Sequence, residues 1–184
     1  MLTTTISTLV AAYLFVCLFI LAPKKPGYSQ VKHTISEIGE VGAPNQHFVA
    51  FGLFLPIGLL MLLVAYLSQP TSMPSAALAL CIAIGYLVAA AFPCDSGSPI
   101  SGTARQAIHN LGGAVEYVGG GSALMTLSES FGQPFKMAGF VVFAAVVALS
   151  VMPSTSVRGI IQRVAELCLF GGVAVSVWQT SGAV

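Results

Sequence analysis

Charge is what this sequence has least of. Seven Lys and Arg and six Asp and Glu stand among 184 residues, 7% of the chain, where an ordinary soluble domain carries about a quarter. A water-facing globule is excluded on that ground. No basic run is long enough to track a phosphate backbone and the formal net charge is +1, which argues against a nucleic-acid partner. The four cysteines include no C-x-x-C pair. Cys17, Cys81 and Cys168 lie inside apolar stretches and Cys94 near a boundary, so all four read as small buried apolar residues rather than a disulfide framework or a redox site. There is no H-E-x-x-H and no Gly-x-Ser-x-Gly elbow, so no zinc-protease or α/β-hydrolase signature is present. The first apolar run is preceded by no Lys or Arg and reads as a retained helix rather than a secretory leader.

What the chain does have is apolar length. It is 56% hydrophobic with a mean hydropathy of +0.90, and a bilayer core needs roughly 20 apolar residues per helix. The pattern predicts an all-α polytopic transmembrane bundle of six helices, one domain over residues 1–184. The spans expected are Thr5–Ala22, Gln46–Leu67, Ser75–Phe92, Ala104–Leu127, Phe135–Met152 and a sixth that Thr155 or Ser156 caps and Trp178 anchors. Pro56 and Gly58 predict a kink near Phe54 in the second span. Ser68–Pro74 and Ser128–Pro134 read as turns. The fifth span, without an ionisable group after Lys136, reads as scaffold.

Polar residues gather at one end. The first, third and fifth links, or helix ends beside them, hold Lys24, Lys25, Lys32, Arg105, Arg158 and Arg163, whereas the other side has Lys136. By the positive-inside bias the polar side is cytoplasmic in an inner (plasma) membrane protein. The first link, Gly27–Pro44, is the most polar stretch. Gln30–Ile38 within it is expected to be a short surface helix with Val31, Ile35 and Ile38 on one side. In the fourth span Arg105, His109, Gly112, Glu116, Gly119 or Gly120, and Ala123 share one face. That face must point inward, since a carboxylate facing lipid at mid-helix costs about 2.5–3.5 kcal/mol. Gly113 and Gly119–Gly121 also offer close-packing surfaces, within the chain or to a second copy in a homo-oligomer.

The candidate functional residues follow. Asp95, His109, Glu116 and Glu37 are the catalytic candidates, as acids, bases or ligands. Tyr28, His33, Ser36, Arg105 and Arg163 are the ligand-binding candidates. Asp95, His109 and His33 carry the oxygen and nitrogen donors that a divalent metal such as zinc accepts. Ser36 or Ser96 with His109 and Asp95 has the composition of a nucleophilic triad, and His47 with His109 that of a pair of haem ligands. Against these stand structural readings: Arg163 and Glu166 paired at i, i+3, Asp95 capping a turn through Ser96–Gly102, Arg105 on a headgroup.

Pro26-Gly27-Tyr28-Ser29, Thr34-Ile35-Ser36-Glu37-Ile38-Gly39, Phe92-Pro93-Cys94-Asp95, His109 and Gln162-Arg163 occur in that order. In these motifs the chain resembles the bacterial and archaeal membrane proteins grouped as domain of unknown function 998, with Ile38 where leucine is expected. The resemblance implies a six-helix bundle whose signature residues meet at one membrane face, and it brings no activity. The function expected from the residues is binding of a small polar ligand or lipid headgroup in a polar basin, with membrane lipids as partners. The basin is expected to be lined by helices two, three, four and six and roofed by the first link. The alternative is a metal-assisted or acid-base membrane enzyme acting on a lipid. A proton-coupled carrier using Glu116 and a haem protein rank below it.

Overall fold

A computed structural model of the chain describes residues 1–152 and 157–181. It is an all-α membrane bundle of six helices. They are α1 (Leu2–Leu21), α2 (Phe48–Ser68), α3 (Met73–Ala91), α4 (residues 104–131), α5 (Gln133–Val151) and α6 (Arg158–Ser181). All but α4 are long and apolar enough to cross a bilayer. At 1.5 Å per residue α4 is about 40 Å long, but Arg105, His109 and Glu116 make its first half polar. The expected caps Thr155 and Ser156 lie outside the described residues.

The helices close into a ring, each packed on its chain neighbour and α6 on α1, with α3 also touching α6 across the centre. Leu14, Leu53, Ile57, Leu78, Ile82, Leu124 and Phe170 are fully buried between them. Phe19, Phe51, Tyr66, Leu167 and Trp178 are exposed on the outside. In water such an apolar exterior would aggregate; in a bilayer it is the surface lipid solvates.

Glycines set the α3–α4 distance. A Cβ added at Gly85 would lie 2.7 Å from Glu116 Cβ, one at Gly112 2.7 Å from Val88 Cβ, and one at Gly119 2.6 Å from Cys81 Sγ. Gly120 meets Leu169 of α6 and Gly121 meets Phe143 of α5, so the glycines of this run are taken up by the chain's own helices. Gly113 has open space around it.

Where a kink is expected near Phe54, the structure has a π-helical stretch, Phe48–Phe54, ahead of Leu55–Ser68. Pro56 has no N–H to give the Gly52 carbonyl, and the Tyr13 hydroxyl of α1 donates to that oxygen at 2.5 Å. The turns after α2 and α4 are shorter than expected, because Pro74 and Pro134 sit in the first turns of α3 and α5, where a helix needs no N–H from them. Gly132 alone, at φ 82°, reverses the chain between α4 and α5.

The first link differs most from expectation. Residues 29–33 form turns, and only Ser36–Gly39 coil, as a 3₁₀ turn. Glu37 Oε1 accepts from the Thr34 N–H at 2.8 Å and the Thr34 hydroxyl at 3.0 Å, half of a capping box that fixes where the turn starts. Ile35 and Ile38 are buried while Val31 is exposed. The link therefore dips into the bundle instead of lying along its surface.

Gly159 is the contact that lets α6 meet this link. A Cβ there would run into the Gln30, His33 and Val31 carbonyl oxygens, which are backbone and cannot step aside. Gly159→Ala is expected to lower stability by about 1–3 kcal/mol through overpacking. Gly171→Ala, with open space around it, is expected to be neutral or to stabilise by up to about 1 kcal/mol. Thermal unfolding of both variants in one detergent checks the contrast, and equal midpoints would refute it.

Candidate functional site

Two residues of α6 clamp the first link. Arg163 Nη1 donates to the carbonyls of Gln30 at 2.8 Å and His33 at 3.1 Å, and Nη2 to the Tyr28 hydroxyl at 2.7 Å. The Tyr28 hydroxyl in turn donates to Thr34 O at 2.8 Å. Burial raises the Tyr28 phenol to about 12 although Arg163 pulls the other way, so it stays a donor. Gln162 Oε1 accepts from the Ile35 N–H at 2.7 Å, and its Nε2 donates to the Tyr117 hydroxyl at 3.0 Å. Arg163 does not pair with Glu166. The Glu166 carboxylate instead accepts from Tyr117 at 2.6 Å and Tyr86 at 3.1 Å.

The third link is tied down by carboxylates. Glu40 accepts from Lys25 at 2.8 Å and from the Gly97 N–H at 2.7 Å, joining the first link to the third. Asp95 accepts from the Thr103 N–H at 2.8 Å, the Thr103 hydroxyl at 2.9 Å and Arg105 at 2.6 Å. The Thr103 N–H and then Arg105 hold the Asp95 carboxyl below the usual carboxylate range. Asp95 does not cap the start of the Ser96–Gly102 segment with its side chain but closes its far end by binding Thr103, whose own hydroxyl caps α4, and Arg105 is its partner. Gln106, wholly buried, accepts from the Asp95 N–H at 2.7 Å and donates to Pro99 O and Asn110 Oδ1, both at 2.8 Å.

Between these two links and the helices below them lies a cavity of about 280 Å³. Thr34 and Ser36 come from the first link, Ser98–Ile100 from the third, Gly85 and Ala89 from α3. His109, Asn110, Glu116 and Tyr117 come from α4, Val146, Leu149 and Ser150 from α5, and Arg158 and Gln162 from α6. The fifth helix is therefore a wall rather than only scaffold, and α2 does not line this cavity. Glu116 enters because Gly85 opposite has no side chain. It sits on a π-helical turn, Val115–Gly119, a local widening that recurs at functional sites.

Three features of the wall bear on chemistry. His109 Nδ1 lies 2.9 Å from Phe92 O, and Nε2 lies 3.2 Å from Ser36 Oγ. A carbonyl only accepts, so Nδ1 carries the proton, and in the neutral ring Nε2 accepts from the Ser36 hydroxyl. Glu116 is 6% exposed and its Oε1 has no partner among the described residues. Arg158 is 6% exposed, donates to Ser98 O at 3.2 Å, and its Nε is unpartnered among the described residues. The ion pairs there are Lys25–Glu40 and Arg105–Asp95, so no carboxylate of the described residues lies within 4 Å of Arg158.

Of the residues singled out from sequence, Ser36, His109 and Glu116 meet in the cavity. Asp95, Arg105, Tyr28, Arg163 and Glu37 are spent on holding the two links. His33 accepts from the Ser29 N–H at 2.8 Å through Nδ1 and lies outside the cavity wall. Among the described residues no cluster of three His, Cys, Asp or Glu is placed to hold a metal ion, and Asp95, His109 and His33 are engaged separately. His47 is exposed and is not in the wall with His109. Sequence reasoning missed Arg158, which reads as one more boundary cation until its burial is known, and Asn110.

The chain matches, over residues 8–179, the family described as Protein of unknown function (DUF998). It belongs to that family. No curated protein and no solved structure matches it. In this DUF998 chain the short motifs have distinct places: Thr34–Gly39 roofs the cavity, Phe92 supplies the carbonyl that orients His109, and Gln162-Arg163 holds the roof down.

The Asp95 anchor predicts a pH dependence of folding. Its folded-state value is depressed, and the unfolded value is about 3.9, so its contribution is present above that value and is lost as pH falls through the folded one. The gap in melting temperature between wild type and Asp95→Asn is expected to be constant above about pH 5 and to close below about pH 4. Thermal unfolding at stepped pH measures it; a gap that persists in acid would rule out the anchor.

Proposed function

We propose that this DUF998 chain binds the anionic headgroup of a membrane lipid in the cavity beneath its first and third links. Arg158 carries the reading. Arg158 has no carboxylate partner among the described residues; a buried cation so placed costs several kcal/mol even after relaxation, and Arg158 opens α6, where the helix dipole disfavours a positive side chain. An anion in the cavity would offset both. Glu116, with an unpartnered oxygen in the same wall, supplies an acceptor for a hydroxyl or ammonium on the same headgroup.

Size fits a headgroup rather than a whole lipid. The volume of 280 Å³ holds about nine waters at about 30 Å³ each, the lower end of ligand pockets. Val146 and Leu149 give the α5 side of the wall an apolar surface suited to the first carbons of an acyl chain. The chain works as one domain in an inner (plasma) membrane, with the basin on the cytoplasmic side. Lys24 and Lys32, exposed at that end, support the orientation by the positive-inside bias.

Vesicle lipids provide the test. Purified protein is expected to gain melting temperature when phosphatidylglycerol replaces phosphatidylcholine, since a ligand at a hundred times its Kd stabilises by about 2.7 kcal/mol. Arg158→Gln is expected to lose that gain while Lys32→Gln keeps it. Equal gains in wild type and Arg158→Gln would refute the site.

A further inference from the structure

The headgroup reading leaves Ser36 and His109 unexplained. The first link is anchored without their contact. The first link is already held by Arg163, Gln162 and Glu37, and Phe92 O alone satisfies one His109 nitrogen. Yet a buried His109 turns the basic nitrogen of its neutral ring onto a partly exposed hydroxyl, 3.2 Å away, at the cavity wall. The Phe92 carbonyl fixes the tautomer at 2.9 Å, which is the service a triad's third group performs. Nucleophile, base and orienting acceptor are all present.

We infer that Ser36 and His109 form a nucleophile–base pair that cleaves an acyl ester of the anionic lipid held at Arg158. The inference rests on the headgroup reading. Arg158 is the one cation among the cavity-lining residues described. It anchors the substrate's negative charge, while the apolar Val146 and Leu149 side receives the acyl chain. Ser36 Oγ bonds to the acyl carbon as its proton passes to His109 Nε2. The carbon–oxygen bond to the alcohol breaks, and the alcohol leaves with that proton. Water then attacks the acyl-serine, gives a proton to His109, and the fatty acid departs as His109 returns the proton to Ser36. The Ser36 hydroxyl is restored and one water is consumed per ester.

The full chain in detergent, treated with a long-chain alkyl fluorophosphonate, tests this without requiring the lipid. The expected result is a single adduct that mass spectrometry places on Ser36, absent in Ser36→Ala and formed at least about 100-fold more slowly in His109→Gln, the lower range for a general base. Wild type is also expected to release fatty acid from phosphatidylglycerol vesicles, and His109→Gln to do so at least about 100-fold more slowly. If Ser36→Ala does not fold, the His109→Gln rates and the adduct's position in wild type carry the test. No adduct, an adduct elsewhere, or equal rates in His109→Gln would overturn the catalytic pair. If phosphatidylglycerol still stabilises the protein in that case, the headgroup site stands without it; if stabilisation is absent too, both fall.

Discussion

The cavity exists because Arg163 holds the first link against α6. Its guanidinium collects the Gln30 and His33 carbonyls and the Tyr28 hydroxyl, and without it the Gln30 carbonyl has no hydrogen-bond partner among the described residues where the link dips below the surface. Unsatisfied backbone groups cost about 1–3 kcal/mol each when buried, so the clamp is what permits the dip. Gly159 supplies the clearance, since any side chain there would meet the same backbone. Only with the link in this position does Ser36 reach His109.

Scarcity makes the polar residues countable. Among the carboxylates, Glu37 caps a turn, Glu40 and Asp95 tie the links, Glu166 takes two phenols, and Glu129 is exposed. Among the cations, Lys25 and Arg105 are paired, Arg163 is the clamp, and Lys24, Lys32 and Lys136 are exposed. What remains is Glu116 and Arg158, buried, incompletely partnered among the described residues, and lining one cavity. An intramembrane ionisable group is a functional hypothesis by default, and these two share one cavity wall.

The bundle was legible from apolar run lengths, because a bilayer imposes them, and so was the inward face carrying His109, Gly112 and Glu116. The first link was not. Its hydrophobic spacing fits a surface helix, but the capping bond at Thr34 and the α6 clamp override local periodicity with contacts 127 to 135 residues away. Arg158 was hidden for a related reason: a cation at a helix end is usually a boundary residue, and burial cannot be read from one sequence. Asp95 shows the converse, since a local structural role was legible from its place after Phe92-Pro93, while its partners Thr103 and Arg105 and its place outside the cavity wall were not.

The π-helical turn at Val115–Gly119 connects these levels. His109 and Glu116, seven residues apart, would share a face on a plain α-helix to within about 20°, and both do line the cavity. Beyond Glu116 the wider turn rotates the remaining face. Gly119, Gly120 and Gly121 then meet α3, α6 and α5 in succession, and Leu124 and Leu127 enter the core. An uninterrupted α-helix would carry the inward stripe of Gln106, His109 and Glu116 down the same line. The widened turn lets one helix present a polar face to the cavity in its upper half and a close-packed face to three neighbours in its lower half. Pro56, which leaves the Gly52 carbonyl to Tyr13, accompanies a similar widening in α2, at the same end of the bundle but outside the cavity wall. Of the two, only the one in α4 carries an ionisable group.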